Sequence, residues 1–269
     1  MKVSFVSLIF FFVLLRFSAG AANAVVNLSH YDRMRPDFER MKQEGILGII
    51  HEVTFPRYQR DDSYAARQSA AQRAGLLWGA YHFADATDPI QQADHFLRAV
   101  LAATPRVEPP AKPTPVLLVL DFEKNGHYPG GTMRVNQAIA FAERVKQRTG
   151  VYPGIYSNEY TIRSVLNNPR VSGAQKKALT NCWLWIANYH YEPRATSPWS
   201  RWSLWQYTGD GKCDLPRAAF PKSVANVRKA ERNIFAGDLS QLRAFWIEHG
   251  WQPGVETPSS PSRRSEPKT

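Results

Sequence analysis

An irregular TIM-like (β/α) barrel of the α/β class, its helices shortened in the C-terminal half, is the architecture expected of this 269-residue chain. Short β-type runs alternate with amphipathic helical stretches, the pattern of a parallel sheet with crossover helices. The run 116–120 is apolar at both parities, as a strand buried on both faces must be. Single α/β barrels of about 200–250 residues are common, so the length asks for only one domain. Ordinary α/β layers are the alternative arrangement of the same elements.

The chain opens with a targeting pattern. Lys2 forms a short positive region, residues 3–15 are apolar except for Ser4 and Ser7, and Ala22-Asn23-Ala24 fits a small-x-small cleavage site. The apolar run is too short for a membrane span, which needs about 20 residues. Residues 1–24 therefore read as a signal peptide, with an uncleaved anchor as the alternative that Arg16 supports. Removal would leave no membrane span and would export the protein, to the periplasm or outside the cell. In that oxidising setting Cys182 and Cys213, both at strand ends, are expected to form one disulfide.

Strands are expected at 25–28, 47–53, 76–83, 116–122, 151–157, 183–189 and 202–207. Helices fill most of the gaps. The stretch 37–44 follows Pro36, and 62–74 is rich in Ala, Arg and Gln. Residues 90–103 carry a stripe of Ala93, Phe96, Leu97, Val100 and Leu101, and 133–148 a second of Ile139, Phe141, Ala142 and Val145 that Gly150 stops. Only a Pro/Ser loop separates the last two strands, and 239–249 closes the domain. The Pro-rich stretch 105–115 is a loop feeding a central strand. Residues 250–269 hold four Pro and four Ser without apolar periodicity and read as a disordered tail. The domain itself is placed at 25–249.

Composition narrows the chemistry. A net charge of +11 and pI near 9.8 favour an anionic partner: nucleic acid, anionic lipid or a wall polymer. The basic residues are spread along the chain, so nucleic acid is not expected. Two cysteines exclude a disulfide-dense miniprotein and a four-cysteine zinc site. No GxGxxG, Walker-type loop, GxSxG or HExxH occurs, and the seven His lack ligand spacing, so neither cofactor nor metal is expected.

The sharpest local feature is Asp121-Phe122-Glu123, at the end of the most buried strand. Positions i and i+2 project to one side, and the C-terminal end of a barrel strand is where catalysis is carried out. Neighbouring carboxyls hinder each other's ionisation. A protonated acid beside a carboxylate suits glycosidic cleavage; a divalent-cation site and a pair of exposed loop acids are the other readings. Tyr81-His82-Phe83, Trp185 with Tyr189 on one face, and Trp205-Gln206-Tyr207 add rings and amides at other strand ends. Such a rim suits sugar rings, which offer apolar faces to stack on and polar edges to bond, although any one Trp or His taken singly fits a packed core.

From about residue 25 to 246 the chain resembles glycoside hydrolase family 25, the barrel-fold lysozymes (N-acetylmuramidases). The motifs, in order, are Asn27-Leu28-Ser29-His30, Gly79-Ala80-Tyr81-His82-Phe83, Asp121-Phe122-Glu123, Gly154-Ile155-Tyr156-Ser157, Trp185-Ile186-Ala187-Asn188-Tyr189 and Trp202-Ser203-Leu204-Trp205-Gln206-Tyr207. The resemblance implies a monomeric peptidoglycan hydrolase cleaving the β-1,4 bond after N-acetylmuramic acid. Glu123 would be the general acid, and Asp121 would stabilise developing positive charge or orient the N-acetyl group. That group's carbonyl or a water would attack the anomeric carbon. Substrate would be held by Asn27, His30, Tyr81, His82, Tyr156, Trp185, Tyr189, Trp205, Gln206 and Glu231. Three departures stand out. Asn27 replaces the family's first-strand acid, a second-strand glutamate falls near Phe55, and the late acid is Glu231 or Asp214. Asn27 cannot take a proton, so a peptidoglycan-binding protein with impaired turnover is the alternative.

Overall fold

A computed structural model describes residues 20–104, 114–194 and 196–253. Most of the expected signal segment, most of the Pro-rich loop and the chain beyond Pro253 lie outside these residues. Nine strands form one sheet: β1 (Ala22–Leu28), β2 (Gly48–Phe55), β3 (Gln59–Arg60), β4 (Leu77–Phe83), β5 (Val116–Asp121), β6 (Gly154–Asn158), β7 (Leu184–Ala187), β8 (Leu204–Thr208) and β9 (Glu231–Phe235). Their order is β1-β9-β8-β7-β6-β5-β4-β2-β3, and a further β1–β2 pairing closes eight of them into a barrel, with β3 outside it. All barrel pairings are parallel except those of β9, which runs antiparallel to both β1 and β8.

The helices are α1 (Phe38–Gln43), α2 (Tyr64–Arg73), α3 (Pro89–Ala103), α4 (Val135–Thr149), α5 (Glu159–Leu166), α6 (Gly173–Leu179) and α7 (Leu239–His249). Their ends follow local chemistry. Asp88 caps α3 by accepting from the N–H groups of Ile90 and Gln91, with Pro89 as its first residue. Gly150 ends α4 at φ 80°, a left-handed turn that costs glycine little.

Alternation along the strands separates two cores. Val26, Ile49, Trp78, Leu118, Leu120, Ile155 and Ile186 point outward, where Phe96, Val100, Phe141 and Val145 of α3 and α4 cover them. Val25, Ile50, Leu117, Val119, Leu204 and Phe235 point into the barrel. α7 supplies Leu242 and Trp246 to the inner cluster, and the Trp246 indole donates to the carbonyl of Trp78 (2.8 Å). Gly48 permits this, because a Cβ there would meet the Trp246 ring at 2.7 Å.

Four expectations need correction. The sheet is not wholly parallel: β9, an eighth barrel strand beyond the seven expected, runs antiparallel between β1 and β8. The domain starts earlier than residue 25: Ala22 pairs with Phe235, and Asn23 donates to the Tyr207 hydroxyl (3.0 Å). It also ends later than 249, since Trp251 exchanges backbone hydrogen bonds with Val116 (2.7 and 2.9 Å). Cys182 and Cys213 are free and buried. β7 and β8 are parallel, so a residue before the first and one after the second lie towards opposite ends of the barrel. Cys182 packs in the outer core, and Cys213 packs with Trp205, Tyr207 and Phe220.

Candidate active site

The inward positions nearest the C-terminal ends of the parallel strands are Asn27, Glu52, Tyr81, Asp121, Tyr156, Trp185 and Gln206. Because β9 runs backwards, its first residue, Glu231, arrives at the same end. All eight line an open cleft of about 910 Å³. Asn158, the last residue of β6, lines it as well, and loops after the strands add Glu123, Tyr128, Asn188, Tyr189 and Asp210.

A chain of amides and hydroxyls ties half of this ring together. The hydroxyls of Tyr156 and Tyr189 both donate to Gln206 Oε1 (2.7 and 3.0 Å). Gln206 Nε2 and Asn233 Nδ2 both donate to Asn27 Oδ1 (3.1 and 2.9 Å). The Trp185 indole orients Asn233 by donating to its Oδ1 (2.7 Å). With its oxygen occupied twice, the Asn27 amide turns its nitrogen to Glu231 Oε2.

Three carboxyls of the cleft, Asp121, Glu123 and Glu231, are shifted towards the protonated form. Burial raises Asp121 well above the usual range, and the charges of Glu123, Glu52 and Glu231 add to it. Its Oδ1 is buried without a hydrogen-bond partner. Burial also raises Glu123; the bond from Asn158 Nδ2 (3.1 Å) opposes this, and Asp210 reinforces it. Glu231 is pushed up to about 8, by burial first and then by Asp32 and Asp210. Asp210 holds its place with φ 53°, a left-handed conformation that Asp adopts more readily than most residues.

The structure brings Glu123, Asp121, Asn27, Tyr81, Tyr156, Trp185, Tyr189, Gln206 and Glu231 to the cleft. It leaves three of the sequence-derived binding residues outside the lining. His82 points outward between β4 and the helices, bonded to Thr54 Oγ1 and Gln92 Oε1 (both 2.9 Å) and stacked on Phe141. It follows Tyr81 directly, and strand alternation permits only one of the two to face inward. Trp205 also points outward and donates to the carbonyl of Asn188 (2.8 Å), supporting the cleft from behind. His30 stands behind the lining, against Glu52 and Tyr128. Of the two late acids, Glu231 lines the cleft, while Asp214 is exposed and paired with His190 (2.6 Å). Sequence reasoning missed Glu52, Asp210, Tyr128 and Asn158. Glu52 was within reach, since it shares the parity of the inward Ile50.

Among the described residues, no cluster of His, Cys, Asp and Glu is arranged to hold a metal ion. Residues 26–214 match the sequence family described as Glycosyl hydrolases family 25. Lysozyme M1 of Streptomyces globisporus is 26% identical over 226 residues, covering 77% of this chain and 71% of its own. A bacterial lysozyme from Streptomyces coelicolor shares the fold with a TM-score of 0.63 at 23% identity, over 86% of this chain and 98% of that one. A muramidase from Trichobolus zukalii does so with a TM-score of 0.61 at 20% identity, over 85% and 99%.

Proposed function

The chain belongs to glycosyl hydrolases family 25 and is a peptidoglycan hydrolase, and from this premise we propose how its cleft breaks the glycan. The bond cleaved is the β-1,4 linkage between N-acetylmuramic acid and N-acetylglucosamine, the lysozyme reaction. The observation that carries the assignment of roles is the Asp121–Glu123 pair at the end of β5, with both groups raised towards protonation by burial. Glu123 supplies its proton to the leaving glycosidic oxygen. Asp121 lines the floor of the cleft beside it, where its carboxyl accepts the N–H of a substrate N-acetyl group. Held there, the acetamido carbonyl is turned towards the anomeric carbon, which favours attack by the substrate's own oxygen. Tyr156 and Tyr189, backed by the buried Tyr81 and Trp185, present ring surface for the sugars.

Glu123→Gln keeps the shape and the Asn158 contact but removes the proton. Loss of clearing of purified cell walls by about 10²–10⁴-fold, with unchanged thermal unfolding, is the expected result. Clearing at the wild-type rate would remove Glu123 from the mechanism, and a wild type that binds walls without clearing them would favour the binding-protein reading that Asn27 supports.

The substrate lies outside the cytoplasm, and export by the N-terminal segment is part of the proposal. Among the described residues no helix is long and apolar enough to cross a membrane. Cleavage after Ala24 would cut off the start of β1, so the mature chain is expected to begin at or before Ala22. N-terminal sequencing of exported protein checks this; a chain starting at Val25 would contradict it.

A further inference from the structure

Beside the catalytic pair, the cleft has a wall that the reaction does not use. Glu52 Oε2 accepts the backbone N–H of His30 (3.3 Å) and also faces its Nδ1. A carboxylate has no hydrogen to give, so this contact places the hydrogen on Nδ1, whatever the charge of the ring. Nε2 then meets the Tyr128 hydroxyl (3.2 Å), which meets the Tyr31 hydroxyl (2.7 Å). Phe55 stacks beneath the imidazole at 4.4 Å and fixes its plane. Tyr31, Tyr128 and Glu52 line the cleft, and Tyr128 stands on the same loop as Glu123 and Lys124. Lys124 is the one Lys or Arg among the described lining residues.

We propose that Tyr31, Tyr128 and His30, braced by Glu52 and Phe55, form a subsite for a carboxylate-bearing substituent on the glycan, binding it when His30 is protonated. This rests on the glycan-hydrolase reading above. The direction of the hydrogen bonds supplies the reason. A neutral His30 has a bare Nε2, so Tyr128 donates inward to it and Tyr31 donates to Tyr128; the wall then shows lone pairs to the cleft. An imidazolium donates from Nε2 to Tyr128. Tyr128 donates on to Tyr31, and the Tyr31 O–H turns outward to an acceptor. A carboxylate is the acceptor that gains most from such a donor, and the cationic ring behind it adds attraction.

The groups facing His30 favour the protonated ring. The bond to Glu52 raises its pKa most; burial opposes this, and the charges of Glu52, Asp61 and Asp32 add to the rise. His51 stands on the far side of β2 and is held neutral by burial, down to about 4. Arg67 of α2 donates to His51 and to the carbonyls of Ser29, Asp32 and Met34, which fixes the loop that carries His30 and Tyr31. Burial and the Tyr31 contact keep the Tyr128 hydroxyl protonated.

The test is calorimetric binding of a soluble muramic-acid-containing tetrasaccharide, with its lactyl carboxylate free or converted to the methylamide. It is run at about pH 5 and about pH 8, on either side of the ordinary imidazole range. The wild type is expected to prefer the carboxylate by about ten- to a hundredfold in acid, the worth of one hydrogen bond to a charged group, and to lose the preference in alkali. Tyr128→Phe breaks the relay by one oxygen atom and should abolish the preference at both pH values. Glu52→Gln should move its midpoint to lower pH, in step with the His30 titration followed by NMR. An equal preference in wild type and Tyr128→Phe, or one independent of pH, overturns the inference. Hydrolysis is read separately on both glycans: preference without cleavage would count against the hydrolase reading alone, and cleavage without preference against the subsite alone.

Discussion

At Asn27 three hydrogen bonds decide between an amide and a carboxyl. Its oxygen takes two N–H groups and its nitrogen serves Glu231. An aspartate there would set oxygen against oxygen, and the two acids would have to share a proton. Asn27→Asp is therefore expected to be tolerated in acid and to lose about 1–3 kcal/mol as pH rises through about 8, where Glu231 ionises in the wild type. Thermal unfolding of both proteins across that range checks it, and a pH-independent loss would refute the pairing. Nothing in the sequence signalled this wiring, because Asn27, Gln206, Asn233 and Glu231 meet only when the barrel closes. The Asp121–Glu123 pair needed no closure, since a spacing of two at the end of one strand is enough.

Seven of the eight barrel strands were legible because their outward faces are apolar and most inward positions are too. β9 was not. Its inward residues are Glu231, Asn233 and Phe235, so polar side chains occupy the face a strand ordinarily fills with apolar ones. The helices α5 and α6, eight and seven residues long, were missed because two turns carry too few positions for a periodic stripe to stand out. Packing at the base of the barrel is set by an element pair, the start of β2 and α7. Gly48→Ala would drive a methyl into the Trp246 ring, at a cost of about 1–3 kcal/mol from overpacking. The same substitution made together with Trp246→Leu should cost clearly less than in the wild type. Equal costs in a double-mutant cycle would show that the two do not touch.

For the whole molecule, buried titratable groups set opposing pH trends. His51 and His82 are held neutral, with pKa values lowered to about 4 by burial. The unfolded chain binds their protons more readily, so stability rises with pH from about 4 to the ordinary imidazole value of about 6.5. Glu231 behaves in the opposite sense. Its native pKa of about 8 exceeds the ordinary value near 4.5, so the native state holds the extra proton between these limits and stability falls as pH rises through them. Asp121 and Glu123, also raised, pull the same way. Maximal stability is expected in mildly acidic solution. Glu231→Gln should flatten the alkaline fall while leaving the acid limb in place; unfolding curves that stay parallel to the wild type at every pH would exclude Glu231 as its source.

The sequence by itself determined the alternation of strands and helices, the two-sided burial of β5, and the placing of two carboxyls at its end. These are local properties, carried by side-chain period and nearest neighbours. Tertiary structure decided the rest. Reversal of β9 delivers Glu231 to the cleft, while strand parity turns His82 and Trp205 away from it. Parallel β7 and β8 set Cys182 and Cys213 apart. Each depends on which strand lies beside which and in what direction, and that follows from closing the barrel rather than from any single segment.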